Sequence, residues 1–245
     1  MRSGSDKVFG LAIESSNPSS AGEGALGGPG VALAEVSHDA GKWVVAGEIL
    51  TESLKRGTGR EDDLMAAIDR VSKRTGIGAK QIGLVAVSVG PGGFTALRVA
   101  VTAGNVIAFA TGASCSAVPS ALVAASKVEC SGRFAVMLAS KADSAFATIF
   151  EPGWRRAGHV HPGRLVRAAD IAALDVEFMV ADKFLPAVIA EAASKSGIQL
   201  IDPTFDPAAC LELGCAMPIG DPGSLKPLYA REPEAVTLWK ARQKR

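Results

Sequence analysis

A glycine-rich run is the segment of this sequence best suited to chemistry. The residues Gly90-Pro91-Gly92-Gly93 stand between an apolar run that predicts a strand and a longer one that predicts a helix. Glycines allow a sharp backbone turn at such a junction, and the free amides of a helix N-terminus can bind an anion such as phosphate. The run has neither the lysine of a Walker loop nor the GxGxxG spacing. Gly90, Gly92 and Gly93 are therefore candidates either for a weak nucleotide site or for a tight structural turn.

A second polar segment follows the first apolar run of the chain. Val8–Ile13 predicts a buried strand, and Glu14 and Ser15 come directly after it. Carboxylates can hold the magnesium ion that accompanies nucleotide phosphates. Glu14 and Ser15 are therefore further candidates for weak binding of ATP or ADP, although we expect no cofactor to be required.

The cysteine and histidine residues offer no stronger site. None of the four cysteines forms a CxxC pair, so we expect reduced, apolar thiols of a cytosolic protein. His159 and His161 would share one face of a strand and could bind a metal, but no third ligand is near them, which favours a surface loop. The three histidines do not form a Ser/His/Asp set. We predict no catalytic residue and no metal site.

Alternating strand and helix patterns must position these segments. The first part of the chain predicts an antiparallel meander, a helix, a strand and a second helix: Val8–Ile13, Val31–Val36, Trp43–Leu50, Glu61–Thr75, Leu84–Val89 and Phe94–Ala110. Strands and helices then restart, with helices predicted over Ser120–Lys127, Ala168–Leu174, Leu185–Ser196 and Cys210–Leu213. The pattern indicates an α/β protein of two related lobes, 1–112 and 113–228, with a tail, 229–245, that can pack back on the first lobe.

The composition excludes several classes of protein. Of the 245 residues, 48% are hydrophobic and the net charge is +1, which excludes a disordered chain and argues against binding nucleic acid through the overall field. One Tyr, three Trp and nine Phe leave few stacking platforms for single-stranded RNA. The uncharged stretch 99–126 is interrupted by polar residues and Pro119, so we expect no membrane span and, without an export signal, a cytoplasmic protein.

The glycine-rich run also carries a family resemblance. Residues 85–99 resemble the GPGSFTGLRIG signature of the TsaB (YeaZ) family. Leu11–Ser16 is similar to the family's opening LAIDTS, and Pro119–Leu122 to a Val-Ser-Ser-Leu-like stretch that comes later. Pro227–Arg231, followed by Pro-Glu-Ala after one residue, resembles the closing PxYLRxxxA. The resemblance is strong over residues 8–125 and patchy beyond them.

This resemblance implies a fold and a function. It implies the two-lobed actin-like fold (ASKHA, ribonuclease H-like), with a mixed sheet flanked by helices in each lobe. It also implies a non-catalytic subunit that binds a TsaD-like protein, which completes the threonylcarbamoyladenosine modification of tRNAs that read codons beginning with adenosine. A TsaE-like ATPase joins the pair, tRNA is contacted only through the complex, and a homodimer forms in isolation.

Two departures from the family pattern bear on catalysis. Glu14 replaces the opening Asp, and the second-lobe motif DARxxEVY aligns with Ala139–Phe146, where the acidic residue is lost and Lys141 replaces Arg. An alternative function, an ATP-dependent small-molecule kinase of the same fold, needs acidic residues at both places. A metalloprotease, suggested by the old name glycoprotease, needs a His/Asp metal set that the sequence does not offer.

The two predicted first-lobe helices are the candidate partner interface. The second of them is apolar nearly all round, and its small residues would let a partner helix approach closely. A charge at one of the small positions should then break association without unfolding the monomer. The interface residues that we predict are Leu64, Ile68, Leu97, Ala100, Ala103, Gly104 and Ile107.

Overall fold

The computed structural model describes residues 7–17, 28–55, 63–155 and 160–231, together with 239, 242 and 243. The strands in these ranges are β1 Val8–Glu14, β2 Gly30–Asp39, β3 Lys42–Val45, β4 Leu50–Ser53, β5 Ile82–Gly90, β6 Ser114–Pro119, β7 Phe134–Lys141, β8 Ser144–Phe150, β9 Arg164–Arg167, β10 Phe178–Ala181, β11 Gln199–Ile201 and β12 Ile219–Gly220. The α-helices are α1 Leu64–Thr75, α2 Phe94–Thr111, α3 Ser120–Ala124, α4 Ala187–Lys195 and α5 Pro207–Ala216.

The first sheet is mixed. Its order is β12-β6-β5-β1-β2-β3, and β4 also pairs with β2. The parallel strands β1, β5 and β6 form its centre, with Leu11 of β1 opposite Val85 of β5. The predicted meander of β1, β2 and β3 is present, but the predicted strand Trp43–Leu50 is two strands. The chain leaves the ladder near Gly47 and pairs again further along β2.

Helices cover both faces of this sheet. On one face, α1 and α2 bury a cluster that includes Leu64, Val71 and Ala100 against β1, β2 and β5. Helix α1 ends as predicted at Gly76, whose left-handed φ of 69° suits glycine. Helices α3 and α5 lie on the other face.

The second sheet has the order β11-β10-β7-β8-β9. Helix α4 covers one face. The other face carries three aromatic rings that stack in a row, with ring centroids 4.8 Å apart for Phe134 and Phe150 and 5.1 Å apart for Phe134 and Phe178. Trp154 packs edge-on against Phe150. These rings share one buried cluster with α3, α5 and the first sheet, so the two lobes have a common hydrophobic core.

The predicted fold class is confirmed: mixed sheets flanked by helices form a two-lobed α/β protein. The sheets, however, do not divide at residue 112. Strand β6 pairs in parallel with β5, so the first sheet continues to Pro119. Helix α5 and strand β12 also return to that sheet, although the sequence pattern groups them with 113–228. These are pairings between distant segments, which a local pattern does not encode.

Several element boundaries differ from the predictions. Helix α3 ends at Ala124, and Ala168–Leu174 forms two short 3₁₀ turns, Ala168–Asp170 and Ala172–Leu174. Helix α5 is longer than predicted because Asp206 caps its N-terminus by accepting from the amide of Ala208 and Pro207 starts its first turn. Strands β11 and β12 were not predicted, since runs of two or three residues have no usable periodicity.

Helix α2 is long and apolar enough to cross a membrane, by length and composition. In the structure it lies along β5, and the side that faces the sheet buries Leu97, Ala100, Gly104 and Ala108. Its apolar character therefore has two sources, a core-facing side and an outer side that no described residue covers fully.

The shared core predicts a large stability difference between two phenylalanines. Phe134→Ala should lower the free energy of unfolding by about 3–5 kcal/mol, because the ring is fully buried between two stacked neighbours. Phe109→Ala should change it by less than about 0.5 kcal/mol, because that ring is 80% exposed on α2. Urea titration followed by far-UV circular dichroism measures both values, and equal losses would contradict the shared core.

Candidate functional site

Glu14 lies at the end of β1 and is completely buried. Its Oε1 atom accepts two hydrogen bonds from Ser16, one from the backbone amide and one from the hydroxyl, both of 2.7 Å. Its Oε2 atom has no hydrogen-bond partner among the described residues. Burial raises the pKa of the Glu14 carboxyl above its usual value of 4.5, because an unpaired charge is poorly solvated in the interior.

The predicted glycine turn packs directly on this acidic segment. The amide of Gly93 donates to the carbonyl of Ser16 over 2.8 Å, and a Cβ atom at Gly92 would overlap that same carbonyl. Gly90 has a φ of 112°, and a Cβ atom there would overlap the carbonyl of Leu228. The sequence left two roles open for this turn, and these contacts support the structural one.

Arg231 binds the hairpin that joins β7 and β8 in the second lobe. Arg231 donates from Nη1 to the carbonyl of Ala139 over 2.6 Å, and from Nη2 to the carbonyl and hydroxyl of Ser144 over 3.1 and 2.9 Å. Asp143 is the acidic residue of this hairpin, and it is exposed and paired with Arg167 over 3.4 Å. The hairpin therefore supplies no carboxylate that could bind a metal ion together with Glu14.

The segment 225–231 is the strap that joins the two lobes. Leu225 exchanges two hydrogen bonds of 3.0 Å with the side chain of Asn105 on α2. The amide of Leu228 donates to the carbonyl of Val89 over 2.7 Å. Beyond it, Arg231 binds the second-lobe hairpin, so the strap crosses from one lobe to the other.

Tyr229 of the strap contacts two residues at the start of α2. Arg98 Nε donates to the Tyr229 hydroxyl over 3.1 Å, and the rings of Phe94 and Tyr229 are 5.3 Å apart. The Arg98 guanidinium also lies 3.8 Å from the centre of the Phe94 ring. Sequence reasoning singled out both segments by resemblance but missed that they bind each other.

No metal site accompanies these residues in the part of the chain that the structure describes. No three His, Cys, Asp or Glu residues there are close enough to hold an ion. His161 is within 2.7 Å of the Glu151 carboxylate, and His159 lies outside the described residues. The four cysteines are free, and burial raises the pKa of the thiols of Cys130, Cys210 and Cys215.

The predicted interface residues do not form an exposed surface. Most of them face the first sheet, and they are buried or half-buried: Leu64, Ile68, Leu97, Ala100, Ala103, Gly104 and Ile107. A Cβ atom at Gly104 would overlap the side chain of Val87, so a charge there would unfold the lobe rather than test association. The helical phase of that prediction is wrong, because an all-round apolar helix does not reveal which side meets the sheet.

Apolar side chains are exposed at other positions of α1 and α2. Met65 of α1 is 57% exposed, and Val106 and Phe109 of α2 are 61% and 80% exposed. Met65 lies near the start of α1, whereas Val106 and Phe109 lie together near the end of α2, and we call these last two residues the outer apolar face. Thr102, Val106 and Phe109 are all exposed and follow one another at helical spacing. The sequence could therefore have placed Val106 and Phe109 on one side of α2, once it was known which side faces the sheet.

Comparisons with known proteins agree with this geometry. Residues 60–143 match the family model described as TsaD, tRNA N6-adenosine threonylcarbamoyltransferase. An uncharacterized protein with similarity to peptidase YEAZ from Pseudomonas aeruginosa superposes with a TM-score of 0.64 at 14% identity, over 91% of this chain and 100% of that chain. YeaZ from Pseudomonas aeruginosa superposes with a TM-score of 0.58 at 16% identity, over 84% of this chain and 90% of that chain.

The chain has a YeaZ-like fold. No curated protein sequence matches it at a significant level. The family match begins just before α1 and ends in the β7–β8 hairpin of this YeaZ-like chain, so it includes α1, the glycine turn and α2.

Glu14 gives the YeaZ-like chain a testable pH dependence. The folded state holds the carboxyl proton more tightly than the unfolded state, so the contribution of Glu14 to stability is greatest below pH 4.5 and is lost as the pH rises through the raised pKa of folded Glu14. The loss is about 1.4 kcal/mol for each unit by which the pKa is raised. Glu14→Gln should remove this part of the pH dependence, because the amide cannot ionise.

Urea denaturation of both proteins between pH 4 and 8 measures the difference. The comparison is made between the two slopes of unfolding free energy against pH, so contributions from other groups cancel. Identical slopes would mean that Glu14 ionises in the folded protein as freely as in the unfolded chain.

Proposed function

We propose that this chain is a non-catalytic subunit that binds a TsaD-like protein and supports threonylcarbamoylation of tRNA. The outer apolar face is the observation that carries the proposal. Neighbouring exposed apolar side chains on the outer side of a core helix, here Val106 and Phe109 of α2, are typical of a protein–protein interface. The identity of the partner rests on the resemblance to the TsaB (YeaZ) family, and the matched family model relates the segment with both helices to a tRNA threonylcarbamoyltransferase.

Both helices are held rigidly, which lowers the entropic cost of binding. Arg70 of α1 donates to Glu52 on β4 over 2.6 Å and to Asp63 over 2.8 and 3.0 Å. Hydrogen bonding to Arg70 lowers the pKa of the Asp63 carboxyl to about 2. Helix α2 is fixed through Asn105 to the strap. A partner would therefore meet a preformed surface.

An aromatic ring at the centre of such a surface contributes strongly to affinity. Phe109 is the most exposed large apolar residue of α2, and its burial removes apolar area from water at about 25 cal/mol per Å². Val106 lies one turn earlier on the same side. The same face serves a homodimer when the partner is absent, since either occupant covers the apolar residues.

The rest of the proposal follows the family resemblance. A TsaE-like ATPase joins the pair, and tRNA is bound by the complex rather than by this chain alone, consistent with a net charge of +1. The protein works in the cytoplasm, where its free cysteines remain reduced.

A kinase of the same fold is the alternative, and three features of the cleft disfavour it. The Gly93 amide is engaged by Ser16, and burial favours the protonated form of Glu14. Arg231 donates a hydrogen bond to the carbonyl of Ala139 in the β7–β8 hairpin. ATP or ADP binding is accordingly proposed to be weak and not required.

Phe109→Asp should weaken binding to the TsaD-like subunit at least about tenfold, because a carboxylate would be desolvated at the centre of the interface. Isothermal titration calorimetry with the purified subunit measures the affinity, and light scattering measures self-association in parallel. The matched control is Phe184→Asp, which changes a ring that is also exposed but lies in the second lobe. Equal affinities for wild type and Phe109→Asp would exclude the outer apolar face as the docking surface.

The isolated chain should show no magnesium-dependent ATP hydrolysis above that of buffer. A coupled phosphate-release assay on the wild type and on Glu14→Gln measures this, with circular dichroism to verify that both are folded. Robust turnover that is lost in Glu14→Gln would support the kinase instead.

A further inference from the structure

A cavity of about 840 Å³ lies between the lobes, on the face of the first sheet opposite α1 and α2. Its walls come from α3, α5, strand β8 and the turn after β8. Apolar side chains dominate the walls, including Leu122, Phe146, Trp154, Leu213 and Met217. This volume is typical of sites that bury small organic ligands.

Two buried polar atoms of the lining residues have no hydrogen-bond partner among the described residues. They are Nε1 of Trp154, a residue that is 5% exposed, and Oγ of Ser126. Buried polar atoms are nearly always paired in folded proteins, because an unpaired one loses its bonds to water without replacement. Both atoms have almost no accessible surface, so a molecule in the cavity bonds to them only when the Trp154 or Ser126 side chain turns toward it, and an indole N–H then requires an acceptor atom.

A positive charge lies beside these two atoms. Arg155 also lines the cavity, donates to the Ser126 carbonyl over 2.9 Å and lies 4.4 Å from the centre of the Trp154 ring. It forms no ion pair with any carboxylate in the described part of the chain. An anionic acceptor placed here would gain a charge-assisted hydrogen bond.

One carboxylate, that of Glu212 on α5, is also part of the lining. An anion must therefore lie at the wall formed by Trp154 and Arg155, with its apolar part along the remaining walls.

We propose that this cavity binds a small amphipathic carboxylate, with the carboxylate at Arg155 and, once their side chains turn toward it, at Trp154 and Ser126, and with an apolar body against Leu122, Phe146 and Leu213. The proposal is independent of the docking function, because the cavity and the outer apolar face lie on opposite faces of the first sheet. The cavity also touches Leu228 of the strap, so the ligand would contact both lobes and the segment that joins them.

Decanoate is the probe, and decanol, with the same chain length and no charge, is its matched control. Isothermal titration calorimetry should show saturable binding of one decanoate per chain and about tenfold weaker binding of decanol. Trp154→Phe and Arg155→Gln should each weaken decanoate binding about tenfold, the first by loss of the N–H donor and the second by loss of the charge. Arg155→Gln should leave decanol binding unchanged.

Two further variants separate this site from other apolar surfaces. Trp43→Phe changes a tryptophan that does not line the cavity, and Phe109→Asp removes the exposed ring of α2. Both should bind decanoate as the wild type does. Absence of saturable binding, or a loss in Trp43→Phe or Phe109→Asp equal to that in the cavity variants, would overturn the proposal. Arg155 is exposed, so its variant is expected to fold even if Trp154→Phe does not.

Discussion

The stacking of Phe134, Phe150 and Phe178 between the second sheet and α3 is the contact on which the rest of the structure depends. It merges the cores of the two lobes into one cluster that extends through α5 to the first sheet. In a two-lobed enzyme that closes on its substrate, the lobes must move relative to each other. Here such a movement would expose fully buried aromatic rings, so the lobe arrangement is part of the folded state.

The polar residues between the lobes follow from that constraint. Glu14, Ser16 and the glycine turn bond mainly to one another, and the strap covers the turn through Leu228. The groups that would bind phosphate in an open cleft are used as internal structure. Surfaces available to other molecules therefore lie elsewhere, on the outer apolar face of α2 and in the cavity beside Trp154.

The predictions from sequence succeeded where a local pattern and a physical requirement coincide. Helix α1, its end at Gly76 and the turn before α2 were all recognisable, because periodicity and glycine positions act over a few residues. The YeaZ resemblance was visible in the same segments. The side of α2 that faces the sheet was not recognisable, because both sides of this helix are apolar. The single predicted strand over Trp43–Leu50 also hid a break that only pairing along β2 reveals.

The sequence by itself determined that the chain is an α/β protein with a strand–glycine turn–helix unit, because hydrophobic spacing and turn residues are local properties. Only the tertiary structure decided that β6, α5 and β12 belong to the first sheet and that Val106 and Phe109 face outward. It also decided that Tyr229 and Arg231 tie the lobes together. These outcomes depend on contacts between residues as far apart in the sequence as Ile13 and Cys210, 197 positions, and no local pattern specifies such a contact.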